Sequence, residues 1–184
     1  MMKFTETNLS GLFVIDVEAH RDERGEFFRT FCKREFKATG EVKEFVQCNH
    51  SVNIKKGTIR GMHYQVPPFG ECKLIRCIRG AVFDVAVDLR QSSPTFLQWF
   101  GLELSERNRK MIYIPEGFAH GFQTLSDHAE LLYQHTSFYE PSAEGGIRYS
   151  DKAIDIRWPL AEGSVSLKDK NYPLLDLNYT GIKI

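Results

Sequence analysis

Ala81-Val82-Phe83-Asp84-Val85-Ala86-Val87-Asp88-Leu89 is the stretch that decides the fold. Its period of two predicts a β-strand with Ala81, Phe83, Val85, Val87 and Leu89 on one face and Asp84 and Asp88 on the other. Outward from it, β-branched and aromatic runs predict further short strands over residues 12–17, 27–31, 44–49, 58–65, 73–77, 99–104, 111–114, 121–125 and 130–135. Turns rich in Gly, Pro, Asn and Ser separate them, the pattern of a β-sandwich or barrel. One helix is predicted over residues 33–39, closed by Gly40, and residues 150–154 have room for another turn. There is no internal repeat, low-complexity tract or linker, so residues 1–184 are expected to form one domain, with the less periodic stretch after Pro159 wrapping the body.

Lysine plus arginine and aspartate plus glutamate number 24 each, a net charge of zero, so nucleic acid is not an expected partner. No apolar run approaches the roughly 20 residues of a membrane span, and Met1 to Gly11 lacks the apolar segment of a secretory signal. A cytoplasmic protein with no membrane partner is expected. Cys32, Cys48, Cys72 and Cys77 form no C-x-x-C pair and are read as buried free thiols.

Chemistry concentrates in two segments. In Arg60-Gly61-Met62-His63-Tyr64-Gln65, a strand directs His63 and Gln65 to one face, with Gly61 leaving space beside them. In Pro115-Glu116-Gly117-Phe118-Ala119-His120-Gly121-Phe122, a turn delivers His120 at a strand start. Each histidine alone is more often structural than chemical; two in one small β domain shift that balance. Arg24, Arg60, Lys73, Arg76 and Lys168 are candidate anion partners, because a guanidinium forks onto phosphate. Phe27, Phe28, Phe138 and Tyr139 are candidates to flank a flat base.

The ordered set resembles the dTDP-4-dehydrorhamnose 3,5-epimerases, metal-free cupins of nucleotide-sugar pathways. It comprises Asp22-Glu23-Arg24-Gly25, Gln47-Cys48-Asn49-His50-Ser51, Arg60 to Gln65, Lys73-Leu74, Asp84 to Arg90, Ser93-Pro94-Thr95-Phe96, Ile114 to Phe122, Leu132-Tyr133 and Leu167-Lys168-Asp169. The resemblance implies an all-β, cupin-type double-stranded β-helix (jelly roll) with a few short helices, and a homodimer paired through its N-terminal strands. It also implies inversion at carbon 3, carbon 5 or both of a 4-keto-6-deoxyhexose nucleotide. Such chemistry needs a base on one face of the sugar, an acid on the other and a donor at the ketone oxygen. By resemblance His63 is the base, Asp169 its dyad partner, Tyr133 the acid and Lys73 the donor to the enolate. By the same resemblance Arg24, Phe27, Gln47, Asn49, Arg60, His120, Tyr139, Glu144 and Lys168 contact the nucleotide-sugar.

Metal-binding cupins carry a His-x-His pair where this chain has His63-Tyr64-Gln65, so no metal and no cofactor is expected. Two residues depart from the family pattern: Arg29 replaces a substrate-contacting glutamate, and Cys48 an acidic or polar residue. They point to a CDP-linked or 3-deoxy substrate, or to inversion at one centre only, as the alternative, with Arg29 reading the nucleotide. A metal-dependent oxygenase or isomerase built on His63 and His120, and a non-catalytic sugar-nucleotide binding module, are the rival readings.

Overall fold

The computed structural model describes residues 1–40, 43–176 and 178–184. Among these, the strands are β1 (Met2–Glu6), β2 (Phe13–Val17), β3 (His20–Asp22), β4 (Gly25–Phe27), β5 (Gln47–Asn53), β6 (Ile59–Gln65) and β7 (Lys73–Arg79). They continue as β8 (Ala81–Asp88), β9 (Trp99–Ser105), β10 (Met111–Ile114), β11 (Phe118–Thr124), β12 (Ala129–His135) and β13 (Glu144–Gly146). One antiparallel sheet runs β1-β2-β10-β7-β12-β5, a second runs β13-β6-β11-β8-β9, and β3 with β4 forms a separate hairpin. The two larger sheets face each other as the cupin jelly roll.

Alternation sorts side chains into three cores. Ile75, Cys77, Val82, Ala86, Ile112, Phe118, Phe122 and Leu131 fill one end of the space between the sheets. Val85, Val87, Leu89, Ala119 and Met62 face the other way, covered by Ile147, Tyr149 and Ile154 and, from beyond Pro159, by Val165, Leu175, Tyr179 and Ile182, so the C-terminal stretch does wrap the body. Phe13, Ile15, Leu74, Met111 and Tyr113 form the outer face of the six-stranded sheet, capped by Phe36. Strand β8 is therefore buried on both faces, and its aspartates point between the sheets: Asp84 and Asp88 are fully buried.

Several expectations are corrected. Residues 27–31 do not form a strand: only Phe27 belongs to one, Phe28 lies under the Arg76 guanidinium at 5.3 Å, and Phe31 packs on Phe36 at 5.0 Å. Those aromatics anchor a connection to the outside of the sheet instead of pairing. The helix expected over residues 33–39 is a 3-10 helix, Glu35–Thr39, whose stop at Gly40 uses φ +96°. Cys72 and Cys77 are buried, but Cys32 is half-buried and Cys48 exposed. The helix α1 (Leu167–Asn171) was not anticipated; Ser166 caps it by accepting from the Asp169 N–H.

Candidate active site

At the end of the inter-sheet space opposite the apolar core, polar side chains replace apolar ones. A cavity of about 240 Å³ is lined by Asn49, Ser51, Arg60, His63, Lys73, His120, Phe122, Tyr133 and His135. His63, Arg60 and His120 come from the five-stranded sheet, Lys73 and Tyr133 from the six-stranded sheet facing it.

Local backbone irregularity places the first pair. Between His120↔His63 and Phe122↔Arg60, strand β6 spends three residues where β11 spends two. That bulge turns Arg60 and His63 to the same side, although residues three apart on a regular strand face opposite ways. Gly61 makes the bulge: its φ is +122°, and a Cβ there would lie 2.6 Å from the Gly121 Cα.

His63 is held from α1. Its Nε2 lies 2.7 Å from Asp169 Oδ1, and the second Asp169 oxygen accepts from the Gly61 N–H at 3.3 Å. A carboxylate accepts only, so the shared proton sits on Nε2, and in the neutral ring Nδ1 keeps its lone pair. Burial pushes the Asp169 carboxyl up, but the hydrogen bonds and charge of His63, Gly61 and Ser166 outweigh it, leaving the group below its ordinary value. The Tyr172 ring stands edge-on to the imidazole at 5.8 Å.

His120 mirrors this arrangement. Its Nε2 is 3.0 Å from both oxygens of Asp84, the inward-facing aspartate of β8. Burial pushes the His120 imidazole below its ordinary value, with the charges of Lys73 and His63 adding and Asp84 opposing. The Tyr133 ring packs edge-on to His120 at 6.0 Å. Burial, aided by Asp84, drives the Tyr133 phenol well above its ordinary value, so it carries its proton at neutral pH.

Lys73 is buried, its Nζ 3.4 Å from the His63 carbonyl and 3.2 Å from Glu71. Glu71 also accepts from His135 Nδ1 at 2.6 Å. Arg60 Nε donates to Asn53 at 2.7 Å. At the rim, Glu144 Oε2 accepts from Lys168 Nζ at 2.6 Å and from the Tyr139 hydroxyl at 2.8 Å, and the Tyr139 N–H donates to Gln47 at 3.1 Å. A hollow of about 420 Å³ along Thr58 to Arg60 and Ser164 to Asp169 adjoins through Arg60 and His63.

The structure thus gathers His63, Lys73, Tyr133, Asp169, Asn49, Arg60 and His120 at one cavity and Gln47, Tyr139, Glu144 and Lys168 beside it. Three expected contacts lie elsewhere. Arg24 pairs with Asp22, Phe27 is 77% exposed on the β3–β4 hairpin, and Arg29 is paired with Glu35, all outside the cavity of their own chain. Among the described residues the hairpin has no strand partner but itself, which is why its side chains miss the inter-sheet space. Cys48 pairs across to Gln134 and faces outward, while Gln47 and Asn49 face inward. Asp84, Glu71, His135 and Tyr172 were not singled out from the sequence. Among the described residues no three His, Cys, Asp or Glu side chains converge as a metal-ligand set, and no helix is long and apolar enough to cross a membrane.

Comparison with known proteins decides the family: residues 6–176 match the model for dTDP-4-dehydrorhamnose 3,5-epimerase. This chain belongs to that family. A dTDP-4-dehydrorhamnose 3,5-epimerase of Shigella flexneri is 47% identical over 92% of this chain and 94% of its own length. The Legionella pneumophila dTDP-6-deoxy-D-glucose-3,5-epimerase, solved in complex with dTDP-4-keto-L-rhamnose, superposes with a TM-score of 0.93 at 39% identity, covering 100% of this chain and 99% of that one. The Bacillus anthracis dTDP-4-dehydrorhamnose 3,5-epimerase, with TDP and pyrophosphate bound, gives 0.92 at 39% identity, covering 95% and 100%. Membership makes the protein an isomerase, a nucleotide-sugar epimerase of deoxysugar biosynthesis on a cupin scaffold.

Proposed function

We propose that this epimerase inverts carbons 3 and 5 of a dTDP-linked 4-keto-6-deoxyhexose. One observation carries the reading: His63 and Tyr133 reach a single cavity from opposing sheets. Facing sheets stand roughly 10 Å apart, room for one sugar ring between a base and an acid. The C4 ketone acidifies the flanking C–H bonds. His63 Nδ1 takes the proton while Asp169 stabilises the resulting imidazolium, and Lys73 donates to the enolate oxygen. Tyr133 returns a proton to the opposite face, which inverts the centre, and solvent resets both groups. Losing the Lys73 donor costs on the order of 3 kcal/mol of barrier. His120, fixed by Asp84, and Arg60 bind the sugar and diphosphate, with Asn49, Gln47, Tyr139, Glu144 and Lys168 toward the nucleoside.

Arg29 spends its guanidinium on Glu35 of its own chain and Cys48 lies on the outer face of its sheet, which favours a dTDP substrate over a CDP-linked variant. Tyr64 and Gln65 follow His63 where metal-binding cupins place a second imidazole, which favours proton transfer over metal ligation. The proposal includes a cytoplasmic homodimer, in which the hairpin carrying Arg24 and Phe27 reaches the cavity of a second copy. Mixing His63→Ala with Arg24→Ala subunits then restores activity through heterodimers; no recovery rejects the shared site.

The deciding experiment is proton NMR in deuterium oxide with a panel of 4-keto-6-deoxy sugar nucleotides. Deuterium is expected at carbons 3 and 5, with none in His63→Ala. Tyr133→Phe should exchange but not invert, since the enolate is then reprotonated only from the face that made it. Equal loss of exchange and inversion in Tyr133→Phe contradicts its role as the opposing acid.

A further inference from the structure

We propose that Glu71 and His135 are positioning residues that set how much of the Lys73 charge is available to the substrate's ketone oxygen. This rests on the reading of Lys73 as the enolate donor and adds the device that controls it.

The Lys73 ammonium and Glu71 carboxylate are 3.2 Å apart with side chains only 8% and 10% exposed, so little water screens them. The other Glu71 oxygen is 2.6 Å from His135 Nδ1, on a side chain equally buried. His135 Nε2 meets the Asn49 amide nitrogen at 3.3 Å. An NH₂ group donates only, so Nε2 accepts and Nδ1 keeps the proton that Glu71 receives. The His135 ring also stacks on Tyr133, 6.0 Å away and inclined by 15°. Lys73, Glu71, His135 and Asn49 therefore form one chain of contacts along the cavity floor. Among the described residues, the other charged or titratable groups facing it are His50 on β5, Arg60 and His63 on β6, Asp84 on β8, His120 on β11 and Tyr133 on β12. Glu116, paired with Lys43, packs against Gly70 next to Glu71.

A carboxylate beside the donor has two opposed effects. It keeps the buried ammonium protonated, and it competes with the enolate oxygen for the same charge. His135 moderates the second effect by drawing the carboxylate toward its own N–H. Removing the carboxylate frees the ammonium to shed its proton. Removing the imidazole N–H returns the full carboxylate charge to Lys73 and weakens its hold on the enolate.

The two variants thus move Lys73 in opposite directions. Its titration is read by NMR on the protein labelled with ¹³Cε-lysine, the signal being assigned by its loss in Lys73→Met. In Glu71→Gln the Lys73 signal should titrate at least about one pH unit lower than in the parent. Turnover should fall at least about tenfold more at pH 9 than at pH 7, with dTDP affinity within about twofold. In His135→Phe, which keeps the ring stacked on Tyr133, the signal should titrate higher and turnover drop about fivefold at both pH values. Shifts of the same sign, or no shift in either variant, overturn the inference. If Glu71→Gln fails to fold, His135→Phe decides alone: a titration that stays or falls overturns it. Full epimerisation by Lys73→Met would instead overturn the reading of Lys73 as donor, separating that failure from this one.

Discussion

Gly61→Ala isolates the bulge that aims the site. The added Cβ would sit 2.6 Å from the Gly121 Cα and 2.8 Å from the His120 carbonyl oxygen, both backbone atoms of β11 that no rotamer change moves away. The backbone there also has φ +122°, which alanine resists. Strain at such a position costs roughly 1–3 kcal/mol, and overpacking another 1–3 kcal/mol, about 4 kcal/mol together. For a chain of this length each kcal/mol lowers Tm by roughly 2–4 °C, so a drop of about 12 °C is expected. Chemistry should suffer more than stability. Opening β6 from β11 moves His63, Arg60 and the Gly61 N–H that braces Asp169, and a 1 Å misplacement is worth about 100-fold in rate.

Thermal melting measures the first effect, and NMR turnover at 15 °C, where the variant stays folded, measures the second. Gly40→Ala is the comparison: its φ of +96° brings strain, but among the described residues nothing beyond its chain neighbours lies within 4 Å of the added Cβ. It should lose about 1–3 kcal/mol and keep full turnover. A Gly61→Ala protein that melts within about 3 °C of the parent and keeps more than half its activity would refute the role given to the bulge.

Acidification should destabilise the protein in two stages. The buried His120 imidazole is held below its ordinary value, so the unfolded chain takes that proton first and stability falls once pH drops below about 6.5. Asp169, Glu71 and Asp88 are held low by their partners, and their contributions drain away below about pH 4, as pH falls toward the folded-state values. Urea midpoints from pH 8 to 3.5 test both stages; His120→Gln should flatten the first, and a parent midpoint constant from pH 8 to 5 contradicts the assignment. Arg29→Glu should leave the ranking of dTDP against CDP carriers unchanged, because Arg29 is committed to Glu35 of its own chain. A reversed ranking in competition binding would return Arg29 to the nucleotide. Chelator dialysis should leave turnover intact, and restoration of a lost activity by iron or manganese would favour the metallocupin reading.

Most of the strands, and the division of a strand into two faces, are legible because alternation acts locally: the run from Ala81 to Leu89 states its own period. What escaped was whatever depends on a distant partner or on a break in that period. Asp169 meets His63 only because a five-residue helix docks more than a hundred residues along the chain, and the bulge at Gly61 reverses the face expected of Arg60. Asp84 shares one face of an alternating strand with Asp88, and nothing in that period says that both faces of β8 are covered.

A local signal for several of these residues existed nevertheless. Val82-Asp84-Ala86, Phe118-His120-Phe122, Lys73-Ile75-Cys77 and Leu131-Tyr133-His135 each place polar groups on a stripe that is otherwise core. A buried polar group costs free energy unless a partner satisfies it, so a polar residue that interrupts or ends such a stripe implies a partner across the sheet or a ligand in the cavity. Applied evenly, that rule singles out Asp84 and His135 along with Lys73, His120 and Tyr133. It misses Glu71, which precedes its strand and lies on no stripe, and Tyr172, which arrives from the C-terminal wrap. The site is the core's own stripes continued in polar residues, and its chemistry is legible from sequence only as far as those stripes run.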